Sequence, residues 1–221
     1  MTYPDNARTV LLAGASGLVG RDILNGLLAD PTVAAVHTLG RRALPLQHPK
    51  LTQQVVDFSA LPPLPAVREV YLALGTTIKV AGSQAAFRAI DFEANLAVAR
   101  AARSSGAIKA GVVSAMGADA GSRIFYNRTK GELEDALDKL GFATLVIARP
   151  SFLTGDRASL GQPLRGGEKL ALNLSNWLAP LIPGNLKSIP AKAVADALLR
   201  TVPVATGRKV LLSGEMRSRA G

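Results

Sequence analysis

The 221-residue chain has no cysteine and only two histidines, His37 and His48. Disulfides, thiolate metal sites and cysteine nucleophiles are excluded, and two imidazoles make a histidine-built metal centre improbable, so no metal is assigned. A serine–histidine hydrolase would have to use one of these two, and both sit in a poor context for it. Long apolar runs are missing as well. Gly, Pro or a charge interrupts every stretch before the roughly 20 apolar residues that a membrane-spanning helix requires, so no integral membrane association is expected. The run Val10 to Gly20 could pass for a signal-peptide core, but only Arg8 precedes it and no persuasive cleavage site comes after it, so it is read as mature structure. Cytoplasm is the expected compartment.

Aromatic residues are scarce, ten in all, and they are not interleaved with the basic side chains as a base-stacking platform requires. That weighs against nucleic-acid binding in spite of a formal charge of +10 and a pI near 10.4. The excess is also diffuse: residues 1 to 110 carry 11 basic and 7 acidic side chains, residues 111 to 221 carry 15 and 9. With 48% apolar and 19% charged residues, the composition is that of one folded domain.

Thr9 to Ala13 reads as a strand that stops at Gly14, and Leu18 to Ala29 as a helix with apolar spacing through Val19, Ile23, Leu24, Leu27 and Leu28. Further strands are expected at Ala34 to Leu39, Gln53 to Phe58, Glu69 to Gly75, Ile108 to Ala115 and Ala143 to Ala148. A long helix capped by Ser83 should run to about Ser104, and another from Phe125 to Leu140, stopped by Gly141. The alternation predicts an α/β fold, a single doubly wound domain on a parallel sheet. Residues 8–150 would form its core, 151–190 a small C-terminal cap on the substrate side, and 191–214 a closing helix and edge strand. The last residues, Glu215 to Gly221, read as a frayed tail. The apolar stretch Leu170 to Ile182, with the only tryptophan, Trp177, is expected to serve as a lid or a homodimer contact.

Gly14, Gly17 and Gly20 fall between the first strand and the first helix, in Gly14-Ala15-Ser16-Gly17-Leu18-Val19-Gly20. Glycines at such a turn let backbone N–H groups approach a pyrophosphate, and the positive end of the helix stabilises its charge. The turn is neither a Walker loop nor a nucleophile elbow. Sites that prefer NAD end the second strand with an acid that bonds the ribose 2′-hydroxyl. Here that place reads Leu39-Gly40-Arg41-Arg42, with no carboxylate to repel a phosphate and two guanidiniums to pair with it, so NADP(H) is favoured over NAD(H). Asp57-Phe58 could bound the adenine pocket. Leu74, Gly75 and Thr76, after the fourth strand, would approach the cofactor from the sheet's carboxyl edge.

Tyr126 and Lys130 stand four residues apart, on one helical face, and Ser114 closes the strand before them. A cation beside a phenol stabilises the phenolate and fits it for acid–base work near neutral pH. Glu132, Glu134, Asp135 and Lys139 read as that helix's solvated face, Asp135 and Lys139 as an i,i+4 pair.

The glycine turn, the Ser114 strand end and Tyr126-x-x-x-Lys130 together resemble the short-chain dehydrogenase/reductase superfamily, in its atypical branch of small NAD(P)-binding Rossmann proteins. Leu74-Gly75-Thr76-Thr77, Val113-Ser114-Ala115-Met116-Gly117-Ala118-Asp119, Lys130-Gly131-Glu132 and Arg149-Pro150 are similar to the Tat-interacting oxidoreductase subfamily and its bacterial relatives. The resemblance spans about residues 8 to 157. It implies that Tyr126 is the general acid/base, that Lys130 lowers its pKa and bonds the nicotinamide ribose, and that Ser114 orients a carbonyl or hydroxyl. It also implies that Pro150 and the residues after it lie beside the nicotinamide. Asp91 departs from the pattern, since many extended members carry Asn there. The expected function is NADP(H)-dependent hydride transfer to or from a small carbonyl or alcohol substrate. A non-catalytic NADPH-binding regulatory or redox-sensing protein is the alternative, and sugar-nucleotide epimerisation a third, against which Arg41 and Arg42 count.

Overall fold

Arg8–Ala13 forms β1, every residue after the first buried, because a strand at the centre of a parallel sheet is covered on both faces. The structure, a computed structural model, describes residues 8–155 and 187–218. β1 pairs in parallel with β2 (Val33–Gly40) on one side and β4 (Glu69–Leu72) on the other. With β3 (Leu51–Val55), β5 (Lys109–Val113), β6 (Thr144–Arg149) and β9 (Gly207–Leu212) they form a seven-stranded sheet in the order β3-β2-β1-β4-β5-β6-β9. Every pairing in it is parallel. A small second sheet joins β7 (Leu153–Thr154) to β8 (Ile189–Pro190), and Ile189 N–H donates to the Phe152 carbonyl.

The sheet is wrapped on both faces. Helix α1 (Leu18–Ala29) turns Ile23, Leu24, Leu27 and Leu28 onto the sheet beside Val10 and Leu12, each such side chain contributing about 1.5–3 kcal/mol of apolar burial. The opposite face takes Leu11 and Ala13 of β1. Over it run α4 (Asn95–Ser104) and α5 (Phe125–Asp138), with Phe92 of a π-helical turn (Ala89–Ala94) packed beside them; the short helices α2 (Ile78–Ala81) and α3 (Gln84–Arg88) lead into that turn. Helix α6 (Ala191–Thr201) lies on the α1 side, so close that a Cβ on Gly26 would come within 2.3 Å of Leu199 Cδ1. At the amino edge of the sheet, Arg8 pairs with Glu69 through Nε at 2.8 Å and with Asp30 through Nη1 at 2.6 Å.

The parallel sheet, the glycine-ended first strand and the closing helix and strand agree with expectation, and three details differ. β3 ends at Val55 and β4 at Leu72, each short of the expected end. At β4, Ala73 N–H still donates to Ala13 O of β1, but the backbone groups after it, Leu74 O and Thr76 N–H, bond to side chains of α4 and the π turn instead of to a strand. Ser83 caps a helix as expected, its Oγ accepting from Ala86 N–H at 3.0 Å, but the run to Ser104 is broken by the π turn. Of the expected tail, residues 215–218 belong instead to a helix, α7 (Ser213–Ser218), held by buried Met216 and by a Glu215 carboxylate that accepts from Leu212 N–H at 2.9 Å. Trp177, the stretch Leu170 to Ile182 and most of the expected cap lie outside the described residues.

Candidate functional site

The loops that leave β1, β2 and β4 all emerge at the carboxyl edge of the sheet, where ligands bind in open α/β folds. Gly14 has φ +92°, and a Cβ there would fall 2.4 Å from the Ala73 carbonyl, so this turn admits only glycine. A Cβ on Gly20 would fall 2.1 Å from Gly14 O, which explains why helix α1 can seat so tightly on the turn. Gly17 caps α1 with no side-chain bond, leaving the first-turn amides without intrahelical partners.

Gly14, Ser16 and Gly17 open onto a cavity of about 1360 Å³. Arg41, Arg42, Asp57 and Phe58 line one flank, and Leu74, Gly75 and Thr76 another. Leu18, Val19 and Gly20 do not line it: they are buried in the packing of α1, so only their backbone amides bear on the turn. Arg41 and Arg42 are exposed, and no carboxylate pairs with either among the described residues. Asp57 is exposed too, its Oδ1 accepting from the Ser59 amide at 2.9 Å and hydroxyl at 2.8 Å, which holds the carboxyl below its ordinary range. Backbone amides at one end of the cavity and unpaired guanidiniums on its flank are a donor set suited to a phosphorylated dinucleotide.

Helix α5 carries Tyr126 and Lys130 on one face, as the spacing predicts, but neither lines this cavity, nor do Ser114 and Pro150. Lys130 is buried, and its Nζ lies 2.7 Å from Asp91 Oδ1. Burial would pull the ammonium's pKa down; Asp91, and then the Tyr126 phenol, outweigh it and hold the value up. The other Asp91 oxygen accepts from Thr76 N–H at 2.8 Å, and Asn95 Nδ2 donates to Leu74 O at 3.1 Å, so the π turn and the start of α4 together clamp the loop after β4. The Tyr126 ring packs 5.4 Å from that of Phe87. Pro150 has its carbonyl bound by Met116 N–H at 2.9 Å.

Ser114 is buried with its hydroxyl donated to Glu134, and Glu134 also takes Arg149 through Nη2 at 2.6 Å and Nε at 3.1 Å. The helix's expected solvated face therefore needs correction: Glu134 is 1% exposed, and no ion pair joins Asp135 to Lys139 among the described residues. The spacing carries the signal, since Tyr126, Lys130 and Glu134 repeat every four residues along one side of the helix, half-buried at Tyr126 and buried at the other two. Asp91 and Asn95, also four apart, escape sequence reasoning as a pair for want of any local mark of the π turn.

No family model matches the chain. It is 36% identical over 201 residues to the mitochondrial protein FMP52 of Candida albicans, covering 86% of each chain, and 38% identical over 160 residues to that of Emericella nidulans, covering 67% and 68%.

The chain belongs to the FMP52 family.

Relatives of the FMP52 family carry mitochondrial in their names, which overturns the expected cytoplasmic location; freedom from cysteine says nothing about which reducing compartment holds a protein. The fold is shared with solved short-chain dehydrogenase/reductase and epimerase structures. A Burkholderia thailandensis short-chain oxidoreductase superposes with a TM-score of 0.65 at 17% identity, covering 96% of this chain and 93% of that one. A Thermotoga maritima UDP-glucose 4-epimerase gives 0.68 at 13%, covering 93% and 77%. No helix among the described residues is long and apolar enough to cross a membrane.

Proposed function

We propose that this FMP52 relative binds NADP(H) and transfers a hydride to or from a small carbonyl or alcohol, with Tyr126 as general acid/base. The observation that carries the proposal is the cavity that begins at the glycine turn, passes two unpaired arginines and ends at a loop fastened by Asp91 to Lys130. Gly14, Ser16, Gly17 and the amides of Leu18, Val19 and Gly20 would hold the pyrophosphate; Arg41 and Arg42 the 2′-phosphate; Asp57 and Phe58 would border the adenine. Leu74, Gly75, Thr76 and Pro150 would bound the nicotinamide half, with Lys130 near its ribose. The cofactor, when bound, supplies the hydride to a carbonyl or accepts it from an alcohol. Tyr126 moves the proton, and Ser114 can orient a substrate only by exchanging its bond to Glu134. The finer likeness to the Tat-interacting subfamily supports these roles.

A second reading, an NADPH-binding regulator with little turnover, is favoured by one feature: both Ser114 and Lys130 have their polar ends engaged by internal carboxylates, Glu134 and Asp91. Tyr126→Phe separates the two. The enzyme reading expects NADPH affinity to persist while reductase turnover on a carbonyl panel falls by about 100-fold or more. Failure of the wild type to oxidise NADPH with any carbonyl of a broad panel would favour the regulator.

A further inference from the structure

The buried ammonium of Lys130 meets three ionisable groups. Asp91 reaches it from the π turn; Tyr126 and Glu134 flank it from its own helix. Glu134 is already satisfied by Arg149 and Ser114, and the charges that cross from α3 to α5, Arg88 and Glu132, pair with each other at the surface. Asp91 is therefore the counter-ion. At 2.7 Å, with Asp91 1% and Lys130 4% exposed, the two charges act on their surroundings as a dipole, and a dipole acts far less on a neighbouring group than a bare cation does. The second Asp91 oxygen is spent on Thr76 N–H, so the carboxylate is fixed from both sides and cannot swing away without releasing the loop that borders the cavity.

We infer that Asp91 is a positioning residue that neutralises Lys130 and so governs how strongly the ammonium acts on the Tyr126 phenol. The inference rests on the reading of Tyr126 and Lys130 as an acid–base pair, but its test needs neither turnover nor cofactor. The phenolate absorbance of the whole protein is titrated in wild type and in Tyr126→Phe, and the difference isolates the Tyr126 midpoint. The same pair of titrations is then made with Asp91→Asn in both. Freed from its counter-ion, Lys130 should draw the midpoint down by about one pH unit. If hydride transfer is measurable, the limb of the pH–rate profile that reports Tyr126 moves with it.

Should Asp91→Asn fail to fold because a buried ammonium is left uncompensated, the double variant Asp91→Asn, Lys130→Met decides the matter, since replacing a buried ion pair as a unit is tolerated. Its midpoint should stay within about half a unit of the wild type, because a neutral pair has been exchanged for neutral side chains. A midpoint that Asp91→Asn leaves unmoved, or that rises by about one unit or more in the double variant, would overturn the inference, the latter because Lys130 would then have been acting as a free cation. A wild type that reduces no carbonyl, with the midpoint shifted as expected in Asp91→Asn, would sink the enzyme reading and leave the role of Asp91 intact.

Discussion

Ser114 donates its hydroxyl hydrogen to Glu134, a carboxylate that Arg149 grips through two nitrogens, and so ties the end of β5 to the middle of α5 and the end of β6. The two ends of this bond should respond unequally to mutation. Ser114→Ala removes one donor from a carboxylate that keeps its guanidinium, at a cost of about 1–2 kcal/mol. Glu134→Ala strands Arg149 and should cost about 3 kcal/mol or more. Urea unfolding midpoints check this, and equal losses would contradict the arrangement.

Two glycines with nearly the same backbone angle should also part company. Gly14 has φ +92° with the Ala73 carbonyl 2.4 Å from a would-be Cβ; Gly82 has φ +87° with nothing within 4 Å. Gly82→Ala should cost about 1–2 kcal/mol, the left-handed penalty alone. Gly14→Ala adds a backbone collision and should cost about 3 kcal/mol or more, measured by the same unfolding assay.

Stability should fall in two separate steps on acidification. Burial depresses the pKa of His37, so its contribution is complete above an unfolded value of about 6.5 and fades as the pH falls from there through the folded value. Burial pushes Asp30 upward, but the Thr32 hydroxyl and amide, then Arg8, hold it below its ordinary value. Its contribution is present above about 3.9 and is lost only as the pH falls further, through its own folded value. His37→Leu should flatten the first step and spare the second, and Asp30→Asn the reverse, in unfolding free energies measured from about pH 7 to about pH 3.

On the proposed reading, Arg41 and Arg42 set the choice between the two nicotinamide cofactors. Replacing both by Ser should weaken NADPH binding about tenfold or more and leave NADH nearly unaffected, as read by fluorescence titration of either reduced cofactor. Equal weakening of both would remove the 2′-phosphate from their role.

Much of this architecture is legible in the sequence because it rests on short-range physics. The apolar run of β1, the glycines at 14, 17 and 20 and the helix from Leu18 to Ala29 each come from local sterics and period, and the helix has the bounds that its apolar spacing predicts. Strand ends are less legible: β4 goes no further because, after one last bond from Ala73 N–H to Ala13 O, Asn95 and Asp91, some twenty residues on, take Leu74 O and Thr76 N–H. Glu134 reads as part of a wet face because its charge outweighs its spacing, while the fold supplies Ser114 from just past β5 and Arg149 from the end of β6 to satisfy it. The π turn leaves no residue-type mark at all, so the meeting of Asp91 with Lys130 is visible only in the structure.

The claim on which the rest depends is that a phosphorylated dinucleotide lies along the cavity between Gly14 and Thr76. Thermal unfolding in the presence of NADPH, NADP, NADH or NAD tests it directly. Near 100-fold excess over its dissociation constant, NADPH should raise the melting temperature by about 5–10 °C, and at equal concentrations both phosphorylated forms should exceed their counterparts. A melting temperature unmoved by all four would contradict it.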